Sequence, residues 1–453
     1  MTKTFLWLIS FLLILSATVV AYWDKNPSII ILSILFVFLG IVLISILNWK
    51  KDLQNLIAIF LLFFLVYLLY SSLIHFGLTS FYGIENIEKD EIYFYTASND
   101  IYIKLKDGYT FWELSAIHKY RETIGAVYWS GLVATVANLY GENSVFAQKI
   151  SIIFIASLIP VTIYSISRLY FLERESIYIS IIYGFFSFVL FLSSIILRDL
   201  HVALMFIITI YIVLQRISIL NVIILFFVIT FSYFLREETG VFMLLFLAIY
   251  FIVFINRVVA DKYIKYFIYL IFIAIGIAFI LNSGYINLFD RMFGNTIERA
   301  EELTSTGSMG AVIAKLPFGL NYISLFGFSQ IQPFPPSWIF QTSDKGWFGF
   351  SYLIAGISWF IGWGFLLYGI VKRKILNRID FKLVLMLFIS LIYLFLMSVL
   401  EFNQRRQMAV YPILYLVMVF SYLDITITQR TKIWVGMVIF YLILVLIINY
   451  LKL

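Results

Sequence analysis

The chain has 453 residues, 63% of them hydrophobic and 13% charged, with a mean hydropathy of +1.00. A soluble domain runs at about 45–50% apolar and about 25% charged, so a soluble fold is excluded and a polytopic membrane protein is specified. The net charge of +7 does not point to nucleic acid, because half of the Lys and Arg fall in short segments between apolar runs, and zero cysteines exclude disulfides and thiol chemistry.

The apolar runs are about 17–22 residues long, each enough to cross roughly 30 Å of hydrocarbon. They predict an all-α polytopic membrane protein with about 13 transmembrane helices. The spans fall at 5–22, 28–47, 55–75, 147–167, 176–197, 199–215, 218–235, 239–256, 266–282, 347–371, 381–400, 408–424 and 432–450. The first reads as a retained helix or signal anchor, since no small-x-small cleavage site precedes Trp23-Asp24-Lys25. With no fixed-period repeat and no separate soluble segment, 1–453 reads as a single integral membrane domain. Two larger external loops, 76–146 and 283–346, carry interfacial helices and are too aromatic for disordered linkers.

The first loop holds Asp90, Glu91, Asp100, Asp107 and Glu113. A carboxylate near the membrane surface can deprotonate an acceptor hydroxyl, or hold a divalent metal. The plainer alternative for each is a solvated loop acid. Residues 126–140 are amphipathic and read as an interfacial or re-entrant helix, because a true span there would invert everything downstream. The three histidines, His75, His118 and His201, show no metal-ligand spacing.

Further along, Arg198-Asp199-Leu200-His201 sits in a tight hairpin between apolar runs. An Arg and an Asp there need mutual pairing or a ligand, and Arg suits a phosphate. The next hairpin on the same side carries Arg236-Glu237-Glu238-Thr239-Gly240. Its acids can simply favour the positive helix N-terminus, while Arg236, ending a long apolar run, is harder to explain structurally. The second loop contains Asp290-Arg291 and a turn with Pro333, Pro335 and Pro336, either a brace or a lid. Glu401 and the adjacent Arg405-Arg406 close the series and suit a phosphate or pyrophosphate head group. With the N-terminus inside, sixteen of the 32 Lys and Arg lie in short inner segments, five of them in 372–382. The polar stations then face the external, periplasmic side.

Four passages resemble the polytopic glycosyltransferases of the GT-C type, the class of protein mannosyltransferases and lipid A aminoarabinose transferases. They are Asp90-Glu91-x-Tyr93, the stretch from Leu139 to Lys149, the long loop 283–346, and Arg405-Arg406 followed by Tyr411-Pro412. Lys149 stands where that family usually has arginine. Three spans precede the acidic loop, where the family usually has one. That arrangement and the Leu197-Arg198-Asp199 hairpin also resemble O-antigen and capsule repeat-unit polymerases. The likeness implies a polyprenyl-phosphate or polyprenyl-pyrophosphate sugar donor, a glycan, protein or lipid-linked acceptor, and transfer on the outer face. Asp90, with Glu91, takes the place of the catalytic base. Arg198, Arg236, Arg405, Arg406 and Lys149 take the donor phosphate. Tyr93, Asp199, His201, Glu238 and Glu401 support them. The likeness names no certain cofactor. A transporter or flippase is the alternative of another class, but the spans have uninterrupted apolar centres and no inverted repeat.

Overall fold

In the computed structural model the described residues are 3–47, 52–77, 89–117, 123–215, 218–271, 313, 316–317, 319–331, 346–401 and 404–452. All the regular elements among them are helical. Eight helices are long and apolar enough to cross a membrane. The first three, α1 (Lys3–Asp24), α2 (Ser28–Leu47) and α3 (Leu53–Gly77), form an antiparallel set. The first polar loop supplies α4 (Lys89–Lys106), α5 (Phe111–Ser115) and α6 (Ile124–Tyr140). Then come α7 (Val145–Ser167), α8 (Glu173–Phe186), α9 (Phe188–Leu192), α10 (Asp199–Leu214), α11 (Ile219–Leu235) and α12 (Glu237–Val258). The C-terminal part holds α13 (Leu320–Gln330), α14 (Gly346–Val371), α15 (Phe381–Glu401), α16 (Gln404–Gln407), α17 (Tyr411–Asp424) and α18 (Ile427–Lys452).

The bundle has two polar ends. At one, His75 Nε2 lies 4.0 Å from Asp24, and the Ser144 hydroxyl donates to Asp24 at 2.5 Å. At the other, Arg168 pairs with Asp52 at 2.7 Å, Arg378 pairs with Asp424 at 2.8 Å, and Lys382 Nζ donates to the Val213 and Gln215 carbonyls. Each spanning helix runs between these ends. The most enclosed is α7, 89% of whose apolar window is buried, against 6% for α18. Its core faces apolar neighbours on all sides, including Phe36 stacked on Phe154 at 5.0 Å.

One sequence expectation changes here. The run 176–197 is not one helix. It stops at Phe186, Ser187 turns the chain (φ −105°, ψ 171°), and the Ser187 hydroxyl caps α9 by accepting from Val189 N–H. Ser193 and Ser194 then bond back to the Leu190 and Phe191 carbonyls. Serines offer the backbone this alternative to a continuous helix, which periodicity alone does not register. The amphipathic segment forms α6, and both its ends meet the Asp24 end of the bundle. Gly125 lies against the Phe234–Leu235 backbone, and Gly141 lies against Asn26 and Ser28. Of the expected span 266–282 only 266–271 is described, as helix, and the second loop's Pro333, Pro335, Pro336, Asp290 and Arg291 lie outside the described residues, as does His118.

The α11–α12 hairpin is held very close. A Cβ on Gly240 would stand 2.6 Å from the Tyr233 Cα, a backbone atom that cannot swing aside. Gly240→Val is therefore expected to cost about 1–3 kcal/mol by overpacking. A lowered thermal midpoint in detergent checks this; an unchanged midpoint refutes the close approach.

Candidate functional site

The acidic loop is fastened at several points. Tyr95 donates to the Asn143 carbonyl at 2.8 Å, and Asn143 donates to Ser98 and Asn99. Asn26 donates to the Glu142 carbonyl at 2.8 Å, so α1, α4 and the start of α7 are tied at one point. Tyr93 bonds Thr123 at 3.1 Å, just before α6. Two of the loop acids have local partners. Asp100 pairs with Lys104 at 3.6 Å, and Glu113 caps α5. The Thr110 backbone N–H and hydroxyl hold the Glu113 carboxyl below the usual carboxylate range.

Glu91 is buried in the first turn of α4 and takes two partners. Lys149 Nζ stands 3.4 Å from its Oε1, and Ile196 N–H donates to the same oxygen at 3.2 Å. Lys149 is fully buried one turn into α7. The two charges compensate one another where either alone would be very costly. Sequence reasoning placed Lys149 on the donor phosphate and Glu91 beside the base; the structure puts them on each other. Asp90 begins α4 next to this pair, and its side chain lies outside the described residues, as do those of Glu401 and Arg405.

The second cluster starts from the same connection, residues 193–198. Arg198 donates to the Leu235 carbonyl at 3.1 Å, satisfying a C-terminal carbonyl of α11. Arg236 Nη2 reaches Asp199 Oδ1 at 3.0 Å, and both side chains are buried. Burial pushes the Arg236 guanidinium down, but Asp199, with Tyr393 and Glu238, more than offsets this and holds it above its ordinary value. Its Nε and Nη1 are also buried and meet no acceptor. Arg406 arrives from α16, with its backbone carbonyl accepting from the Tyr393 hydroxyl at 3.3 Å. Burial, then the positive charges of Arg236 and Arg198, bring Arg406 down to about 9, which Asp199 and Glu238 only partly oppose. It remains a cation at neutral pH. Three guanidinium groups and two carboxylates from three distant stretches thus share one place. His201, one turn along α10 from Arg198, is buried with its ring 6.2 Å from that of Trp129.

Beside Arg406 lies a polar knot that sequence reasoning missed. Gln330 donates to Ser329 at 2.8 Å and to Gln407 at 3.0 Å, and its own oxygen accepts from Trp359 Nε1 at 3.1 Å. Ser329 donates to Ser398 at 2.7 Å. Single Gln and Ser residues scattered through apolar sequence gave no signal of convergence. Among the described residues, no group of three His, Asp or Glu side chains comes together as a metal site.

Such geometry can hold an anion. A buried guanidinium with unfilled donors, beside a second guanidinium destabilised by like charge, favours a ligand carrying negative charge, as oxygen acceptors on phosphate do.

Removing one partner of the Glu91–Lys149 pair strands the other. Lys149→Met is expected to cost about 3–5 kcal/mol, and the double variant Glu91→Gln/Lys149→Met distinctly less. A thermal-unfolding cycle measures it; additive losses would show that the two charges do not support each other. No family model matches the chain, and neither a curated protein nor a solved structure matches it.

Proposed function

We propose that the chain is a membrane glycosyltransferase that moves a sugar from a polyprenyl-phosphate donor to a lipid-linked, protein or glycan acceptor. The observation that carries the reading is the buried Arg236, paired with Asp199 through one nitrogen while two others have no acceptor, with Arg198 and Arg406 beside it. This supports a phosphate seat at the end of the bundle. The distribution of Lys and Arg in short loops supports placing that end on the non-cytoplasmic side.

In this reading the donor phosphate lies against Arg236, Arg198 and Arg406, with Arg405 beside them on α16. Asp90 takes the proton from the acceptor hydroxyl as its oxygen attacks the anomeric carbon. The bond from that carbon to the phosphate oxygen breaks, and the departing lipid phosphate keeps the electron pair. Fixed guanidinium charge stabilises that developing charge, usually the largest catalytic term. Glu91 is read as a positioning residue, because its carboxylate is committed to Lys149 and Ile196 N–H. Asp199, Glu238 and Glu401 balance the cations. The acceptor proton ends on Asp90 and is later lost to water or to the released phosphate.

A repeat-unit polymerase acting on undecaprenyl-pyrophosphate glycans uses the same seat, with a second lipid-linked glycan as acceptor. A transporter or flippase is less well supported. The charge pairs Glu91–Lys149, Arg236–Asp199 and Arg168–Asp52 sit toward the ends of the described helices, whereas transporters place charged groups near the midplane on broken helices.

Asp90→Ala is expected to lower transfer by roughly 10²–10⁴ while leaving expression intact, the range for loss of a general base. Radiolabelled polyprenyl-linked sugar in reconstituted vesicles reads this; full activity removes Asp90 from the site. Arg236→Gln and Arg406→Gln are each expected to weaken polyprenyl-phosphate binding about tenfold to hundredfold, the worth of a charged hydrogen bond. Arg406→Gln should do so without lowering the thermal midpoint, because it relieves repulsion within the cluster. Unchanged lipid affinity in both variants overturns the phosphate seat.

A further inference from the structure

Along α17 lies a slot of about 370 Å³ between α8, α9, α14, α17 and α18. Among the described residues, no charged side chain lines it. Its floor is formed by Tyr183, Trp359, Tyr411 and Met418, all buried. Three of the ring polar atoms at the slot have partners of their own. Tyr411 donates to Gln407, Trp359 donates to Gln330, and Tyr415 donates to the Ile179 carbonyl. What faces the slot is therefore mostly ring surface and aliphatic carbon, with Ser358 among the lining residues. Ser187, where the α8 helix stops, lines it too.

The rim is different. Ile182, Phe186, Tyr422 and Trp434 are 40–53% exposed. Their exposed neighbours, Tyr178 on α8 and Val435 and Ile439 on α18, carry no charge. Arg430 lies over the Tyr422 ring at 4.2 Å and Arg174 donates to the Tyr178 hydroxyl, so these two rings mark a charged end of the rim, and the mouth opens to hydrocarbon past Ile182, Phe186 and Trp434. From Tyr411 to Tyr422 the slot follows α17 for about 16 Å, at about 1.5 Å per residue. That shape is long, narrow and parallel to the spans.

We propose that this slot binds the hydrocarbon tail of a membrane lipid drawn laterally from the bilayer. It shares no lining residue with the arginine cluster, so it is a second lipid site. Only Gln407 and the turn 408–410 separate Arg406 from Tyr411 at one end of the slot. The tail site stands whether or not the chain transfers sugars. If it does, a second tail beside the phosphate seat marks the acceptor as lipid-linked.

The test is photolabelling of the full chain in nanodiscs. One arm uses a phosphatidylethanolamine with a diazirine in its acyl chain, and the other a polyprenyl phosphate with a diazirine in its tail. Adducts are mapped by peptide mass spectrometry. Both the 355–365 and 411–422 peptides should be labelled well above the exposed faces of α1 and α2. Ser358→Phe, which fills the slot without emptying the core, should cut that labelling about tenfold or more with the thermal midpoint kept. If this variant does not fold, the map from the unaltered chain decides. Label spread evenly over all lipid-facing helices overturns the site, as does labelling indifferent to Ser358→Phe in folded protein. Labelling by both lipids shows a general tail site, and labelling by polyprenyl phosphate alone shows a dedicated one; each supports the slot. Asp90→Ala should label like the unaltered chain, which separates this site from the transfer reaction.

Discussion

A lysine buried in the most enclosed helix of a membrane bundle needs an anion beside it, and that need organises this structure. Lys149 sits within α7 with no solvent contact. Glu91 meets it, and Glu91 reaches that depth only if α4 lies against the start of α7. The same carboxylate accepts Ile196 N–H, so the connection leading to Arg198 and Asp199 is held by the same pair. One ion pair therefore sets the position of the acidic loop and of the first cationic residues. The Asn143 bonds to Ser98 and Asn99 and the Asn26 bond to the Glu142 carbonyl then fix the register.

The two ends of the bundle use charge differently. At the Asp52 end, cations meet acids or helix carbonyls, as in Arg168 with Asp52 and Lys382 with the end of α10. Those contacts satisfy helix termini and lock neighbours together. At the other end three guanidinium groups share two carboxylates, and Arg236 keeps two buried nitrogens without an acceptor. Buried donors left open are costly and are rare in native structures. Two such donors on the one buried guanidinium of Arg236 are the observation on which the proposed phosphate seat rests.

The sequence carried the membrane class, because composition and run length are local properties. It also carried the stations, because charge ending an apolar run stands out in any window. Arg198, Asp199, Arg236 and Arg406 do converge. What it did not carry was pairing. Nothing in the spacing says that Glu91 belongs to Lys149, or that Asp24, Asn26 and Gln330 take part, since each is a single polar residue in an ordinary setting. The break at Ser187 was hidden for a related reason: hydropathy reads side chains, whereas a serine hydroxyl redirects backbone hydrogen bonds. The expectations for Asp90, Glu401 and Arg405 fall on side chains outside the described residues.

Arg236 is at once the C-terminal cap of α11 and the N-terminal cap of α12, with one extended residue (φ −162°, ψ 116°) between two helices. The chain has no slack there. Inserting one residue into the first turn of α12 would turn the rest of that helix by about 100° about its axis. The hairpin therefore acts as a gauge block: its length is fixed by chemistry at its tip, and loop-length variation, tolerated at most surface turns, would be felt along the whole of α12.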